Sequence, residues 1–354
     1  MKALITAGGH GTRLRPITHT HNKHLIPIAN KPILQYAIDY VKEAGITEIG
    51  IIINAASDGI KEWFGDGSNQ GLSITYIPQE APMGLAHCVK IAEPFIGTDK
   101  FIFYLGDNMI VGGVKRFIDE FEQSNANCFL TLSNVKDPQR FGVPEIVDGR
   151  IIGIEEKPLN PKSNFAVAGI YLYDSSVFEA VNNIKPSPRG ELEISDAHQY
   201  LLDHNYVVKY TEITGWWKDT GKPADLLAAN RLVLDNITEE CEGDIDSSST
   251  VVGPNRIGKG SRIINSIVRG PVCIGSNCHI ENSFIGPHTS IGNGTQIINS
   301  EVEYSILLNR CIIKDLNTRL ETSLLGNEVE VVLSEGRPRV NRLMIGDQSR
   351  VELI

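Results

Sequence analysis

The first 236 residues alternate short apolar runs with amphipathic segments. Lys2–Thr6, Glu48–Asn54 and Phe101–Leu105 are rich in β-branched or aromatic residues, and each predicts a buried strand. Apolar side chains from Leu34 to Val41 follow the i, i+3, i+4, i+7 spacing of a helix, which Gly45 is placed to end. Strands that alternate with helices predict βαβ units and a mostly parallel sheet covered on both faces.

A hairpin interrupts this alternation near the middle of the chain. Asp148-Gly149 is typical of a two-residue turn, and it predicts pairing between Val143–Val147 and Arg150–Glu155. The remaining elements expected before residue 236 are two strands and a helix, at Ala166–Tyr173, Val207–Ile213 and Pro223 to about Leu234.

The C-terminal third is repetitive. Asn-Ser recurs at 265–266, 282–283 and 299–300, a spacing of 17 residues, and Ile-Gly recurs in register with it. Apolar positions follow one another in steps of six, six and five from 257 to 302, and Leu308 is expected to start a fourth set. A triangular β-solenoid needs about one inward aliphatic residue per face of each coil, whereas a β-sandwich predicts irregular spacing. These hexapeptide repeats resemble the left-handed β-helix family.

The boundary between the two patterns lies in an acidic, Ser-rich stretch. We expect a first domain over 1–236, a linker over 237–250 and the β-helix over 251–354. The sequence does not settle the path of the tail after Ser334.

Composition narrows the class of protein. The 354 residues carry 33 Lys and Arg against 43 Asp and Glu, a net charge of −10, which argues against a nucleic-acid partner. No apolar run approaches the length of a membrane helix, and the N-terminus lacks the apolar core of a signal peptide. Six scattered cysteines do not make a disulfide framework. We therefore expect a cytoplasmic protein without a membrane partner.

A glycine-rich loop follows the first strand. Gly8-Gly9-His10-Gly11-Thr12-Arg13 offers backbone N–H groups to phosphates, and Arg13 adds a forked cation. The loop lacks the GK[ST] of a P-loop and the third glycine of G-x-G-x-x-G, so a plain strand-to-helix turn is the alternative.

Longer motifs give the loop a context. GGHGTRLRPIT, followed by NKHLIPIANKP, resembles the signature of the sugar-nucleotide pyrophosphorylases. Within that family, the chain resembles the long form of the glucose-1-phosphate thymidylyltransferases, which carries a β-helical tail. Further motifs occur in family order, namely Pro78-Gln79 with Gly84-Leu85-Ala86, LGDN at 105–108, FGV at 141–143, EEKP at 155–158, RGELEI at 189–194 and WKDTG at 217–221.

The resemblance implies a fold and a reaction. The fold is a Rossmann-like α/β nucleotidyltransferase domain with a mixed sheet, followed by a left-handed parallel β-helix. The reaction joins a sugar 1-phosphate, here glucose 1-phosphate, to dTTP, and it yields a dTDP-sugar and pyrophosphate. The sugar phosphate attacks the α-phosphate in line, opposite the leaving pyrophosphate, and Mg²⁺ is the cofactor. Positioning and charge neutralisation therefore do most of the catalysis.

The resemblance also carries roles to residues of this sequence. It implies catalytic roles for Arg13 and Lys23, beside the nucleotide phosphates, and for Lys157, on the attacking sugar phosphate. It implies that Asp107 and Asp219 are the Mg²⁺ ligands. Asp107 also follows a predicted central strand, where open α/β sheets bind ligands, although an Asp-Asn turn is the simpler reading of that position.

Two sets of binding residues follow in the same way. The nucleotide set is Gly8, Gly11, Thr12, Arg13, Gln79, Gly84 and Asp107. The sugar-phosphate set is Gly142, Glu156, Lys157 and Gly169. Glu191 and Glu193 are given no chemistry, since they could equally precede or cap a helix near Ser195–Leu202.

Three departures from the family pattern leave the substrates open. His24, Met83 and Phe141 replace the usual residues near the base or sugar pocket. The alternatives are UTP or an amino-sugar 1-phosphate in the same reaction, a catalytically inactive regulatory homologue, and a bifunctional enzyme whose β-helix also acetylates sugars. For the β-helix itself we expect a role in bracing the first domain or in assembling a homo-oligomer.

Other clusters have simpler interpretations. His19, His21 and His24 are expected to form a polar loop rather than a metal site, because they lack Cys or acidic partners at ligand spacing. Cys273 and Cys278 are expected to be small buried hydrophobic residues. One of Trp216 and Trp217 is expected to pack beneath Asp219.

Overall fold

The computed structural model describes residues 1–54, 58–333 and 341–353. They form two units, of which one comprises residues 1–10 and 33–219 and the other residues 11–32 and the chain from 220 onward. No helix in this described part of the chain is long and apolar enough to cross a membrane.

The strands before residue 236 combine long buried strands with short pairs. In chain order they are β1 Lys2–Thr6, β2 Pro27–Ile28, β3 Lys31–Pro32, β4 Glu48–Ile53, β5 Ser73–Pro78, β6 Phe101–Leu105, β7 Asn108–Ile110, β8 Cys128–Asn134, β9 Gly142–Val147, β10 Arg150–Glu156, β11 Phe165–Tyr173, β12 Val208–Glu212 and β13 Trp217–Asp219.

The helices lie between these strands or follow them. In chain order they are α1 Ile33–Glu43, α2 Asp58–Phe64, α3 Leu85–Ile91, α4 Glu93–Ile96, α5 Lys115–Glu122, α6 Val177–Asn183, α7 Ile194–Asp203 and α8 Pro223–Leu234. Short 3₁₀ turns occur at Thr12–Leu14, Ile17–His19, Lys23–Leu25, Ser68–Gln70 and Pro138–Arg140.

The first unit is built on one mixed sheet of order β12-β8-β11-β6-β1-β4-β5. The strands β6, β1, β4 and β5 run parallel, whereas β11 is antiparallel to both β6 and β8. The central strands are buried along most of their length, because helices and loops cover both faces as in other α/β sheets. The predicted Rossmann-like class with a mixed sheet is confirmed.

Most predicted elements of this region are present. β1, β6 and α8 have the predicted bounds, and Gly45 follows α1 with φ 86°. The hairpin of β9 and β10 turns at Asp148 and Gly149, with φ of 50° and 73°. Both positive φ values explain the Asp-Gly pair, since few other residues adopt them without strain.

The second unit is mainly a parallel β-helix with three faces. Its strands form three parallel sheets, whose members are β14 Glu240–Cys241, β17 Asn255–Ile257, β20 Val272–Ile274, β23 Thr289–Ile291, β26 Ile306–Leu307 and β29 Leu324–Leu325; β15 Asp244–Ile245, β18 Arg262–Ile264, β21 His279–Glu281, β24 Gln296–Ile298, β27 Ile312–Lys314 and β30 Glu330–Val332; and β16 Thr250–Val252, β19 Ile267–Arg269, β22 Phe284–Ile285, β25 Glu301–Glu303 and β28 Leu320–Glu321. The predicted β-helix class is confirmed.

The Asn-Ser repeat has a direct structural cause. The backbone N–H groups of Ser266, Ser283 and Ser300 each donate to the serine hydroxyl one coil earlier, at 3.0 to 3.2 Å. The preceding asparagines adopt positive φ at the corner, and their side-chain amides bond from coil to coil, as from Asn265 to Asn282 at 2.6 Å. Both ladders repeat once per coil, which sets the 17-residue period.

The spacing between coils changes near the C-terminal end of the repeat. Leu307, not Leu308, lies opposite Ile291 and starts the fourth set, because the coil between them is one residue shorter. Residues 237–250, expected as a linker, include β14 and β15, which pair in parallel with β17 and β18. The expected tail after Ser334 lies partly outside the described residues, and 341–353 contain no helix or strand.

Candidate active site

A two-stranded ribbon at the end of the central strand holds the two predicted metal ligands. β7 follows β6 after a turn at Gly106-Asp107, and it pairs antiparallel with β13. In that register Asp219 lies directly opposite Asn108. Asp107 directly precedes β7 and Asp219 is the last residue of β13, so both lie at the same end of this ribbon, at the carboxyl end of the sheet where α/β folds bind ligands.

Asn108 organises this ribbon and is almost completely buried. Its side-chain NH₂ donates to Oδ1 of Asp107 at 2.8 Å, and its Oδ1 accepts from the indole Nε1 of Trp217 at 2.7 Å. The hydroxyl of Tyr104 donates to the backbone carbonyl of Asn108 at 2.8 Å, and burial raises the pKa of that tyrosine well above its usual value. Trp217 thus orients Asp107 through Asn108.

Gly169 on β11 lies against the same residue. A Cβ at this position would lie 2.9 Å from Cγ of Asn108 and 2.7 Å from the side chain of Leu105. A larger residue would therefore push against the ribbon, and the predicted binding role of Gly169 is accompanied by a steric one.

The chemistry of the donor set fits Mg²⁺. Among residues 1–54, 58–333 and 341–353, no three His, Cys, Asp or Glu residues cluster in a way that could enclose a metal ion. Two carboxylates at one end of a ribbon suit an ion that takes its remaining ligands from water and phosphate oxygens.

A second cluster surrounds the end of the β9–β10 hairpin. Gly142 and Glu156 are cross-strand partners, and Oε2 of Glu156 accepts from the hydroxyl of Ser195 at 2.7 Å. A Cβ on Gly142 would lie 2.6 Å from that hydroxyl oxygen, so only glycine leaves Ser195 in place. Nζ of Lys157 lies 3.1 Å from Oε1 of Glu156, and Lys157 has a φ of 47°. Three of the four predicted sugar-phosphate residues thus meet here.

Arg189 and Glu193 extend this cluster. Glu193 is buried, and its Oε1 accepts from the hydroxyl of Ser187 and from the guanidinium of Arg189, both at 2.7 Å. The hydrogen bond with Glu193 raises the pKa of Arg189. Arg189 also lies 3.7 Å from Oε1 of Glu156. A cation that is fixed by a buried carboxylate beside Glu156 suits an anionic or hydroxyl-rich ligand.

The predicted base-reading residues lie on the loop before α3. The side-chain NH₂ of Gln79 donates to the carbonyl of Gly84 at 3.3 Å and contacts Nδ1 of His87 at 3.0 Å. Gly84 has a φ of 96°, and a Cβ there would lie 2.4 Å from the carbonyl oxygen of Leu192. Leu192 N donates to the carbonyl of Met83 at 2.8 Å, which fixes the loop.

Gly8 lies just after β1, at the start of the glycine-rich loop. A Cβ on Gly8 would lie 3.3 Å from the backbone nitrogen of Asn54, and the Asn54 side chain donates to the Gly8 carbonyl at 3.1 Å. The backbone of the loop is therefore held by the end of β4.

The rest of the glycine-rich loop belongs to the second unit. Gly11 has a φ of 60° and precedes the 3₁₀ turn Thr12–Leu14, which presents Thr12 and Arg13 as exposed residues. A Cβ on Gly11 would lie 2.9 Å from Thr18 and 3.0 Å from Lys23. The hydroxyl of Thr18 donates to the Gly11 carbonyl at 2.7 Å, and Lys23 is buried. Gly11 and Lys23 are thus packed together.

Comparison with known proteins identifies the family. The nucleotidyl transferase family model matches residues 2–236. The chain belongs to the nucleotidyl transferase family.

Relatives in this family match the chain along its whole length. A protein named glucose-1-phosphate thymidylyltransferase from Streptomyces griseus is 46% identical over 354 residues, which cover 100% of this chain and 99% of the relative. One of the same name from Streptomyces antibioticus is 45% identical over 355 residues, with the same coverage of both chains. The crystal structure of a Bacillus anthracis protein assigned as a glucose-1-phosphate thymidylyltransferase, bound to sucrose, has a TM-score of 0.64 and 40% identity, covering 68% of this chain and 98% of its own.

The resemblance inferred from the motifs is therefore confirmed, as is the prediction of an enzyme of the nucleotidyltransferase class. The roles of individual residues stay predictions. Sequence reasoning missed Asn108 and Ser195, although both lie in or beside motifs that it had singled out. It also gave Glu193 no chemistry, where the structure shows a buried partner for Arg189.

Proposed function

We propose that this nucleotidyltransferase is a glucose-1-phosphate thymidylyltransferase. It joins glucose 1-phosphate to dTTP and releases dTDP-glucose and pyrophosphate. The observation that supports the chemistry is the ribbon of β7 and β13, at one end of which Asp107 directly precedes β7 and Asp219 ends β13. The choice of substrates is supported by the names of the Streptomyces relatives.

Asp107 and Asp219 would hold Mg²⁺ in this proposal. The bound ion supplies charge neutralisation on the nucleotide phosphates and helps to align them. Asn108 keeps one oxygen of Asp107 engaged, so the carboxylate has a defined orientation. Trp217 fixes Asn108 in turn.

The remaining charge is balanced by cationic side chains. An oxygen of the sugar phosphate attacks the α-phosphorus, and the bond from the α-phosphorus to the bridging oxygen of the β-phosphate breaks with its electron pair leaving on pyrophosphate. Arg13 donates hydrogen bonds to the α-phosphoryl group and the departing pyrophosphate. Lys23 acts beside the same phosphates, and Lys157 holds the attacking sugar phosphate.

Substrate recognition uses two further sets of residues. Gly8, Gly11 and Gly84 let the backbone approach the nucleotide, Thr12 adds a contact in the same loop, and the Gln79 amide reads the pyrimidine edge. Glu156 accepts hydrogen bonds from sugar hydroxyls. Gly142 and Gly169 line the sugar pocket, where a Cβ would displace Ser195 or Asn108.

A substrate matrix tests the proposal. Purified protein is assayed for pyrophosphate release with four nucleoside triphosphates against glucose 1-phosphate and amino-sugar 1-phosphates, at fixed Mg²⁺. We expect the highest kcat/KM with dTTP and glucose 1-phosphate. A clear preference for UTP or for an amino sugar would contradict the substrate assignment, and no release with any pair would indicate an inactive homologue.

The metal assignment has its own variant. Asp107→Asn keeps the shape of the side chain and removes its charge, so we expect a loss of activity of at least about 10²-fold. Asp119→Asn is the matched control, because this half-exposed aspartate on α5 pairs with its helix neighbour Lys115. Equal activity of Asp107→Asn and wild type would refute the assignment.

We further propose that the enzyme works in the cytoplasm as a homo-oligomer. The six cysteines are free thiols, in keeping with a reducing compartment. The β-helix offers flat, regular faces of the kind through which solenoids associate. Light scattering of the purified full-length chain measures its mass, and a monomer at assay concentration would contradict the assembly.

A further inference from the structure

One buried asparagine joins the β-helix to the chain segment that carries Arg13 and Lys23. Asn230 on α8 is fully buried. Its Oδ1 accepts from the backbone N–H of Ala29 at 2.8 Å and from the hydroxyl of Ser290 at 2.7 Å. Its NH₂ donates to the carbonyl of His288 at 3.0 Å. One amide thus binds the β2–β3 hairpin and one coil of the β-helix at the same time.

The turn of this hairpin has an unfavourable backbone conformation. Ala29 and Asn30 connect β2 to β3 with φ values of 47° and 61°, a conformation that is unfavourable for alanine. Partners in the β-helix hold the turn. The Asn30 side chain donates to the carbonyl of Ile291 at 2.7 Å, and the thiol of Cys273 donates to the carbonyl of Ala29 at 3.6 Å.

Apolar contacts and a distant contact reinforce the same attachment. Ala29, Leu234 and Cys273 form a small buried cluster with Val233 and Ile237 packed against it. Near the middle of the segment, His21 contacts the side-chain amide of Asn327 at 3.1 Å. Residues 11–32 are therefore fastened to the β-helix at two separate places.

Contacts within residues 11–32 connect the β2–β3 hairpin to Lys23 and Gly11. Ile26 and Ile28 are buried, and the N–H of Ile26 donates to the carbonyl of Lys23 at 3.2 Å. Lys23 packs in turn against Gly11, next to Arg13. A displacement of the hairpin would therefore move the backbone on which Lys23 and Gly11 depend.

We propose that Asn230, together with Ser290, is a positioning pair that sets the placement of Arg13 and Lys23 from the β-helix. The inference rests on the proposed function, because it assigns those two cations to the reacting phosphates. It gives the β-helix a specific part in catalysis, because one of its coils is the fixed surface against which residues 11–32 are held.

Three variants of the full-length chain test this inference. Ser290→Ala removes one donor to Asn230, and Asn230→Asp keeps the acceptor for Ala29 but loses the donor to His288. Ser283→Ala is the matched control, because it removes a buried hydroxyl of the same β-helix, whose partners Glu281, Ile297 and Ser300 all belong to the β-helix. Unfolding temperature is measured first, and kinetics are measured well below the lowest value.

The readout is the separation of kcat from KM. We expect Ser290→Ala and Asn230→Asp to lower kcat for pyrophosphate release about tenfold, because misplaced cations stabilise the transition state less well. KM for glucose 1-phosphate should stay within about twofold of wild type, since Glu156 and Lys157 belong to other elements. Ser283→Ala should keep both constants while losing comparable stability.

Two outcomes would overturn this inference alone, and a third would also contradict the proposed function. Unchanged kcat in both test variants would overturn the inference while leaving the proposed function intact. A fall in kcat that is shared by Ser283→Ala and follows unfolding temperature would also overturn it, because the effect would then be general destabilisation. Wild type without activity on any nucleotide would contradict the proposed function and this inference together.

Discussion

At the scale of single residues, the candidate site depends on glycines that have no room for a side chain. Gly84 combines a φ of 96° with a carbonyl oxygen 2.4 Å from its would-be Cβ, and Gly142 faces the hydroxyl of Ser195. Replacing a glycine costs less free energy where its φ is positive but space is open than where the new side chain would also collide with the backbone. The two effects can be separated by comparing glycines.

Gly84→Ala is expected to impair nucleotide binding. The new methyl group would push the loop away from Leu192, so Gln79 would lose its bond to the Gly84 carbonyl and KM for dTTP should rise about tenfold or more. Gly45→Ala is the control, because Gly45 has a φ of 86° but nothing within 4 Å of its would-be Cβ. It should cost about 1–2 kcal/mol of stability and leave KM unchanged. Equal KM values in both variants would contradict the loop's role.

Trp217→Phe tests the orientation of Asp107. Phenylalanine keeps the ring but removes the N–H that holds Asn108, a hydrogen bond worth about 1–2 kcal/mol and thus about tenfold in rate. We expect a lower kcat and a higher Mg²⁺ concentration for half-maximal activity. Trp63→Phe, at a tryptophan that is 60% exposed, should change neither. A Mg²⁺ titration that is identical for Trp217→Phe and wild type would exclude this indirect role.

At the scale of elements, the packing of α7 on β11 creates a pH-dependent contact. His198 on α7 is fully buried and hydrogen-bonded through Nε2 to the hydroxyl of Tyr173 at 2.6 Å. Burial lowers the pKa of His198 from 6.5 to about 3. The unfolded chain therefore binds a proton between these values that the folded chain does not bind, so stability is complete above pH 6.5 and falls as the pH decreases towards 3.

His198→Gln should remove this dependence. Glutamine can still bond the Tyr173 hydroxyl but does not titrate. Between pH 6 and pH 4 the wild type should lose up to about 1.4 kcal/mol per pH unit more than the variant, measured by urea unfolding. His19→Gln, at an exposed histidine, is the control. Parallel stability curves for wild type and His198→Gln would show that the contact does not have this effect.

The serine ladder is the second element-scale feature that can be measured. Ser283→Ala leaves the N–H of Ser300 without its acceptor inside the β-helix, at a cost of about 1–3 kcal/mol. Ser276→Ala should cost less, because Ser276 meets the next coil through its backbone N–H, which donates to Asn293. Calorimetric unfolding of both variants gives the comparison, and equal losses would show that the hydroxyl ladder does not stabilise the coils.

Elements were easier to predict than contacts, for physical reasons. β1, β6 and α8 follow from local periodicity and from Gly or Pro at their ends, and the repeat period follows from ladders that recur in every coil. The first coil at 237–250 escaped prediction because its strands are short, polar and exposed. Leu308 was misplaced because the coil shortens by one residue at that point.

The candidate site was also harder to predict where its contacts join residues that are distant in the sequence. Asp107 and Asp219 are predicted from their motifs alone. The link from Trp217 to Asn108 spans 109 residues, and that from Ser195 to Glu156 spans 39, so no local pattern reveals either. The bonds from Asn230 to Ala29 and Ser290 are equally non-local.

At the scale of the whole molecule, the net charge of −10 sets a condition on the chemistry. Both substrates are multiply charged anions, and the chain as a whole repels them. Attraction must therefore be local, and the proposal assigns it to Arg13, Lys23, Lys157 and Mg²⁺. Arg13 and Lys23 lie in residues 11–32, which belong to the same unit as the β-helix.

The most direct test of the central claim follows one oxygen atom. Glucose 1-phosphate with ¹⁸O in its non-bridging phosphate oxygens is incubated with dTTP, Mg²⁺ and the enzyme, and the products are analysed by mass spectrometry and ³¹P NMR. Attack of the sugar phosphate on the α-phosphorus predicts dTDP-glucose that keeps all of the label, one labelled oxygen bridging the two phosphorus atoms, and pyrophosphate without label. Label in pyrophosphate, or the absence of dTDP-glucose, would contradict the account.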